Sequence, residues 1–115
     1  MDEHTDSLKE SILQLYREPA IGLVNTYGEV NIKNLVKKYR GLDAVSMQQM
    51  MELLVDFSKS EDLASSYISV GVLHALGMKG KVAEAYEWAK NKVDSEVFTC
   101  HFDIGVSLAD HFIGN

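Results

Sequence analysis

The sequence predicts an all-α protein, a single compact bundle or a short helical-repeat-like stack of six to seven short helices over residues 1–115. Three observations lead to that class. Apolar residues recur at steps of three and four through most of the chain. Ser, Asn, Gly and Pro stand at intervals suited to helix ends. Apolar residues make up 46% of 115, with 8 Gly and 1 Pro, which suits one packed core and not a loop-rich or disordered chain.

Taken in order, Ser7-Leu-Lys-Glu10 has the spacing of a capping box, and Leu8, Ile12, Leu15 and Tyr16 form a helical stripe that Pro19 ends. Pro19 also suits the first position of a short second helix carrying Ile21, Leu23 and Val24, stopped by Gly28. Asn31 is placed to cap a third helix through Arg40, with Ile32, Leu35, Val36 and Tyr39 inward and Gly41 at its end. Ser46-Met-Gln-Gln49 reads as a second capping box. Behind it Met47, Met50, Met51, Leu54 and Phe57 give the clearest amphipathic pattern in the chain, and helical spacing favours a core role for the three methionines over an adaptable binding surface.

Ser60, followed by Glu61 and Asp62, offers a cap and a charged first turn for a fifth helix from Leu63 to Leu76. That helix is apolar on most sides and is expected at the centre. Gly77-Met-Lys-Gly80 is expected as a turn, and Val82 to Val93 as a sixth helix with Val82, Ala85, Tyr86 and Ala89 inward. Gly80-Lys-Val-Ala-Glu-Ala85 resembles the turn and second helix of a tetratricopeptide repeat, which implies a local helix-turn-helix shape. The pattern departs at Ala89 and Lys92, and no second copy follows at a spacing of about 34 residues. Residues 97–108 read both ways. Phe98, Cys100, Phe102, Ile104, Val106 and Leu108 alternate with polar or small residues as in a strand, while Val97, His101, Ile104, Leu108 and Phe112 form a helical face. Helix is favoured, because Ser95 and Glu96 offer a start and no second strand exists to pair with.

Seventeen Asp/Glu against 11 Lys/Arg give a net charge of −6. Such a chain repels nucleic acid and anionic membranes and favours basic partners. The imbalance is uneven: residues 1–60 hold 9 acids and 7 bases, residues 61–115 hold 8 acids and 4 bases. No apolar run approaches the roughly 18 residues that span a bilayer. The polar start, Met1 to Asp6, is unlike a signal peptide. With Cys100 as the single cysteine, these features suit a cytoplasmic protein.

No phosphate-binding, dinucleotide or nucleophile-elbow motif is present, and neither metal nor cofactor is expected. His74 and His101 lack a ligand residue at the i±4 positions. Cys100-His101 is expected as a core thiol beside a surface histidine, since adjacent helical residues point about 100° apart. Asp110-His111 is expected as a solvated pair. The chain is therefore expected to bind and not to catalyse. Residues 30–59 outline a helix-turn-helix in which Lys33, Lys37, Lys38 and Arg40 form a basic patch. Its second helix, however, offers Gln48 and Gln49 with Glu52 and Asp56 and no cation before Lys59, and the loop from Gly41 to Val45 looks longer than the usual turn, so a transcriptional or phage regulatory role is the alternative.

Small, acidic, helical and with an acidic last third, the chain resembles the immunity proteins that block basic bacterial toxins, including those of contact-dependent growth inhibition. That resemblance implies tight binding to a cationic toxin domain, in many cases a nuclease, whose substrate cleft it would cover. On that reading the docking face comprises Glu84, Glu87, Trp88, Asp94, Glu96 and Asp103, with rim charges speeding encounter and the tryptophan as anchor.

Overall fold

A computed structural model describes residues 3–17 and 28–113, leaving aside the side chains of residues 3–6 and 112. Six helices occur in this part of the chain: α1 (Glu3–Arg17), α2 (Glu29–Arg40), α3 (Ala44–Ser58), α4 (Leu63–Ala75), α5 (Lys79–Lys90) and α6 (Ser95–Phe112). No strand is found among the described residues, so the all-α class holds. The short helix expected after Pro19 lies outside the described residues.

The periodicity located the helices, but the caps stand elsewhere. Helix α1 begins at Glu3, which puts Ser7 inside it and not at its N-terminus. Gly28 precedes α2 in a left-handed conformation (φ 76°), and Ile32 N–H donates to its carbonyl at 2.9 Å. Asn31 is consequently an interior residue. It is buried, and its Nδ2 donates to the Leu15 carbonyl at 2.6 Å, tying α2 to the last turn of α1, where carbonyls lack intrahelical partners. Asp43 caps α3 by accepting from Ser46 N–H at 2.8 Å, and Asp62 caps α4 by accepting from Ser65 N–H at 3.0 Å and Ser65 Oγ at 2.6 Å. In both places the carboxylate wins over the serine the sequence suggested, because a charged acceptor bonds the free amides more strongly and also meets the positive end of the helix dipole.

Helix α4 ends in a Schellman turn. Met78 N–H donates to the Leu73 carbonyl at 2.9 Å and Gly77 N–H to the His74 carbonyl at 3.0 Å, with Gly77 at φ 78°. Helix α5 starts directly afterwards, so Gly80 lies in its first turn and not in the loop, and Val93 falls, fully exposed, in the turn that follows it.

Helix α4 is the centre, as its all-round apolar character predicts: every residue from Ser66 to Leu73 is buried, and α2, α3, α5 and α6 all pack on it. The polar side chains caught there are bonded. Ser66 Oγ donates to the Ser58 carbonyl at 2.7 Å, and Ser69 Oγ pairs with the Tyr16 hydroxyl. Burial in that pair pushes the tyrosine pKa well above the ordinary phenol range, against a smaller opposing effect from Ser69. Tyr16 also meets Phe57 edge to face, with ring centroids 5.3 Å apart.

The closest packing is between α4 and α6, where Gly71 and Gly105 face each other. A Cβ at Gly105 would stand 2.7 Å from the Tyr67 carbonyl oxygen, and one at Gly71 3.0 Å from that of Gly105. This approach turns α6 by one residue from the expected register. Phe98, Phe102, Gly105 and Ala109 point inward, while Val97, which the sequence placed on the inner face, is 47% exposed. The strand alternative for residues 97–108 is overturned for the same reason, since these four positions line up only at helical spacing.

Candidate functional site

The acidic residues of the expected docking face lie on α5, the turn after it and α6. Glu84, Glu87, Asp94, Glu96 and Asp103 are all exposed, but four of the five carboxylates meet a partner within the chain. Lys81 Nζ lies 3.5 Å from Glu84, Lys90 Nζ 3.9 Å from Glu87 and Lys92 Nζ 3.7 Å from Asp94. The Tyr86 hydroxyl donates to Asp103 at 2.6 Å. Desolvation first, and the Asp103 carboxylate second, keep that hydroxyl protonated far above the ordinary phenol range. Exposed ion pairs are weak, so these carboxylates remain open to a stronger cationic partner, although neighbouring lysines offset part of their field.

Trp88 is half-buried. Its ring meets Phe98 of α6 edge to face at 5.5 Å, and the Lys92 ammonium stands 4.9 Å from its centroid and 4.8 Å from that of Phe98. Lys92 also binds Glu61 at the start of α4, and that hydrogen bond, with lesser help from the nearby charge, raises its pKa. The tryptophan thus braces α5 on α6 as well as presenting an edge.

The sequence's other candidates are not brought together. Cys100 is exposed and His101 half-buried, the reverse of the expectation, because α6 packs in the register set by its glycine. Nδ1 of His101 lies 2.7 Å from the Val97 carbonyl and its ring 5.4 Å from that of Tyr67, so it addresses its own helix and α4. Asp110 and His111 are both exposed at the end of α6, and Asp110 Oδ1 also stands 2.8 Å from His74 Nε2, linking α6 to α4. Among the described residues no three His, Cys, Asp or Glu side chains converge on a point where a metal could sit. No helix there is long and apolar enough to cross a membrane.

On α2, Lys33, Lys37 and Arg40 are exposed and Lys38 half-buried. The connection to α3 is Gly41-Leu42-Asp43 alone, shorter than the sequence suggested. That removes one objection to a helix-turn-helix. The chemical one stands, because α3 presents Glu52 and Asp56 outward.

One surface feature was discounted at the level of sequence. Of the α3 methionines only Met50 enters the core, in line with Leu54. Met51, partly buried against the core, sits about 100° round the helix from Met50 and Met47 about 60°; with Val55, Tyr39 of α2 and Met78 beside α5 they line an open groove of about 620 Å³. Glu52 and Asp56, one helical turn apart, stand at its α3 edge, and Lys81 at the α5 side. The signal was available in the steps Met47–Met51–Val55 and Glu52–Asp56, a second stripe offset from the core stripe. The chain matches no protein-family model, no curated protein and no solved structure.

Proposed function

We infer that this chain is a non-enzymatic binding protein that engages a basic protein domain and blocks it, in the manner of an immunity protein covering a toxin's cleft. The observation that carries the reading is the set of exposed carboxylates along α5, its following turn and the first half of α6: Glu84, Glu87, Asp94, Glu96 and Asp103. Each is held by a surface contact at most, so a basic domain can exchange those contacts for its own. The edge of Trp88 supplies apolar area beside them. Cytoplasmic residence in a bacterium, beside a gene for a large secreted toxin, belongs to the same reading.

The test starts from a basic protein captured by the tagged chain from its own host. Charge reversal at Glu84, Glu87 and Glu96 should slow association severalfold at low salt and flatten its salt dependence, and co-expression of the native chain should relieve any toxicity of the captured domain. An association rate indifferent both to salt and to the three reversals sinks the proposal. A DNA-binding reading keeps one favourable observation, the exposed cations of α2 ahead of a three-residue turn. A low-salt gel shift on mixed DNA decides it, and the absence of retardation at micromolar protein removes it.

A further inference from the structure

We propose that the groove between α3 and α5 is a docking site for an amphipathic helix of a partner protein, apolar on one face and flanked by lysine or arginine. Its walls are made by Met47, Met51 and Met78, unbranched thioether side chains that refit to an incoming surface. An amphipathic helix presents anchors at i, i+3/i+4 and i+7, and a groove of about 620 Å³ takes several such side chains at once.

The rim selects the charge of the occupant. Glu52 and Asp56 are exposed along the α3 edge, and Lys81 on the opposite side already faces Glu84 at 3.5 Å. Cations on the flank of a docked helix that faces α3 therefore meet Glu52 and Asp56, whereas a second copy of this chain, at a net charge of −6, is repelled. The proposal rests on the reading that the partner is basic and adds a second apolar contact, apart from Trp88.

The test uses the full chain labelled at its methionine methyl groups and a synthetic helix with Leu at i, i+4, i+7 and i+11 and Lys on both flanks. Three control peptides accompany it: the same composition scrambled, the Leu helix flanked by Glu, and the Lys helix with Gln replacing Leu. Binding of the Leu/Lys helix should shift the methyl signals of Met47, Met51 and Met78 and leave that of buried Met50 nearly unmoved. The double variant E52K/D56K, altered only at exposed positions, should weaken that binding about tenfold, and M51Q should weaken it with the charged rim intact.

Equal binding by the scrambled or Glu-flanked peptide overturns the proposal, as do unmoved methyl signals with the Leu/Lys helix. If the Gln-substituted Lys helix binds as tightly without moving the methyl groups, the groove is not the site while the basic-partner reading survives. That broader reading stands or falls separately, on the Glu84, Glu87 and Glu96 reversals with the captured partner.

Discussion

A methyl group added at Gly105 would sit 2.7 Å from the Tyr67 carbonyl oxygen, a backbone atom that cannot step aside unless α4 and α6 separate. Gly105→Ala should therefore destabilise the fold by about 1–3 kcal/mol, read as a lower urea midpoint with an unchanged slope. Gly80 behaves in the opposite sense. Nothing lies within 4 Å of a Cβ there, and the residue sits in the first turn of α5 with no positive φ. Gly80→Ala should raise stability by about 0.5–1 kcal/mol, because it restricts the unfolded chain and strains nothing. A rise in the Gly105→Ala midpoint, or a fall in that of Gly80→Ala, would contradict the packing described. At the same scale, Asn31→Leu fills the site with an apolar side chain but leaves the Leu15 carbonyl at the end of α1 without its donor, at a cost of about 1–3 kcal/mol. Amide exchange in the last turn of α1 should rise with it.

At the scale of elements, apolar period and polar punctuation were enough to locate the helices, because each buries a stripe and each must end. Their exact ends and faces were less legible. Ser46 and Ser60 match the cap pattern as well as Asp43 and Asp62 do, and only the folded chain shows which side chain reaches the free amides. The register of α6 was missed for a related reason. Its contact with α4 is made through Gly105 and Ala109, small residues that a hydrophobic stripe overlooks although they allow the closest approach. The groove was misread because Met47 and Met51 have the same composition and spacing as a core stripe, and only the placement of Met50 and Leu54 decides which of the two faces inward.

The α4 cap leads to a prediction about pH. Hydrogen bonds from the Ser65 side chain and amide hold the Asp62 carboxyl below its usual range, and slight desolvation opposes them. A carboxyl with a depressed folded pKa contributes stability that is fully present above its unfolded value, near about 3.9, and is lost as pH falls through the folded value. Asp62→Ala should lower stability by about 1 kcal/mol at neutral pH and reduce the acid-side slope of stability against pH below about 4. Identical acid limbs in the two proteins would show that the cap is not titrating there.

For the whole molecule the relevant quantity is the field that a diffusing partner meets, and here the lysines matter as much as the acids. Lys90 lies 3.9 Å from Glu87 at two-thirds exposure, so it offsets the acidic edge without adding to the core. Replacing it by Gln makes the chain one unit more negative and leaves every carboxylate in place. If long-range attraction draws a basic domain to this edge, Lys90→Gln should speed association severalfold at low ionic strength, and the advantage should vanish as the Debye length shrinks to about 3 Å near 1 M salt. Stability should barely move, because an exposed pair at this distance contributes little. Dissociation should also be nearly unchanged, since long-range charges act mainly on encounter. Stopped-flow mixing with the captured partner across a salt series measures both rates. Faster association at every salt concentration would point to a contact made by residue 90 itself, and no change at low salt would mean that the edge does not steer the partner.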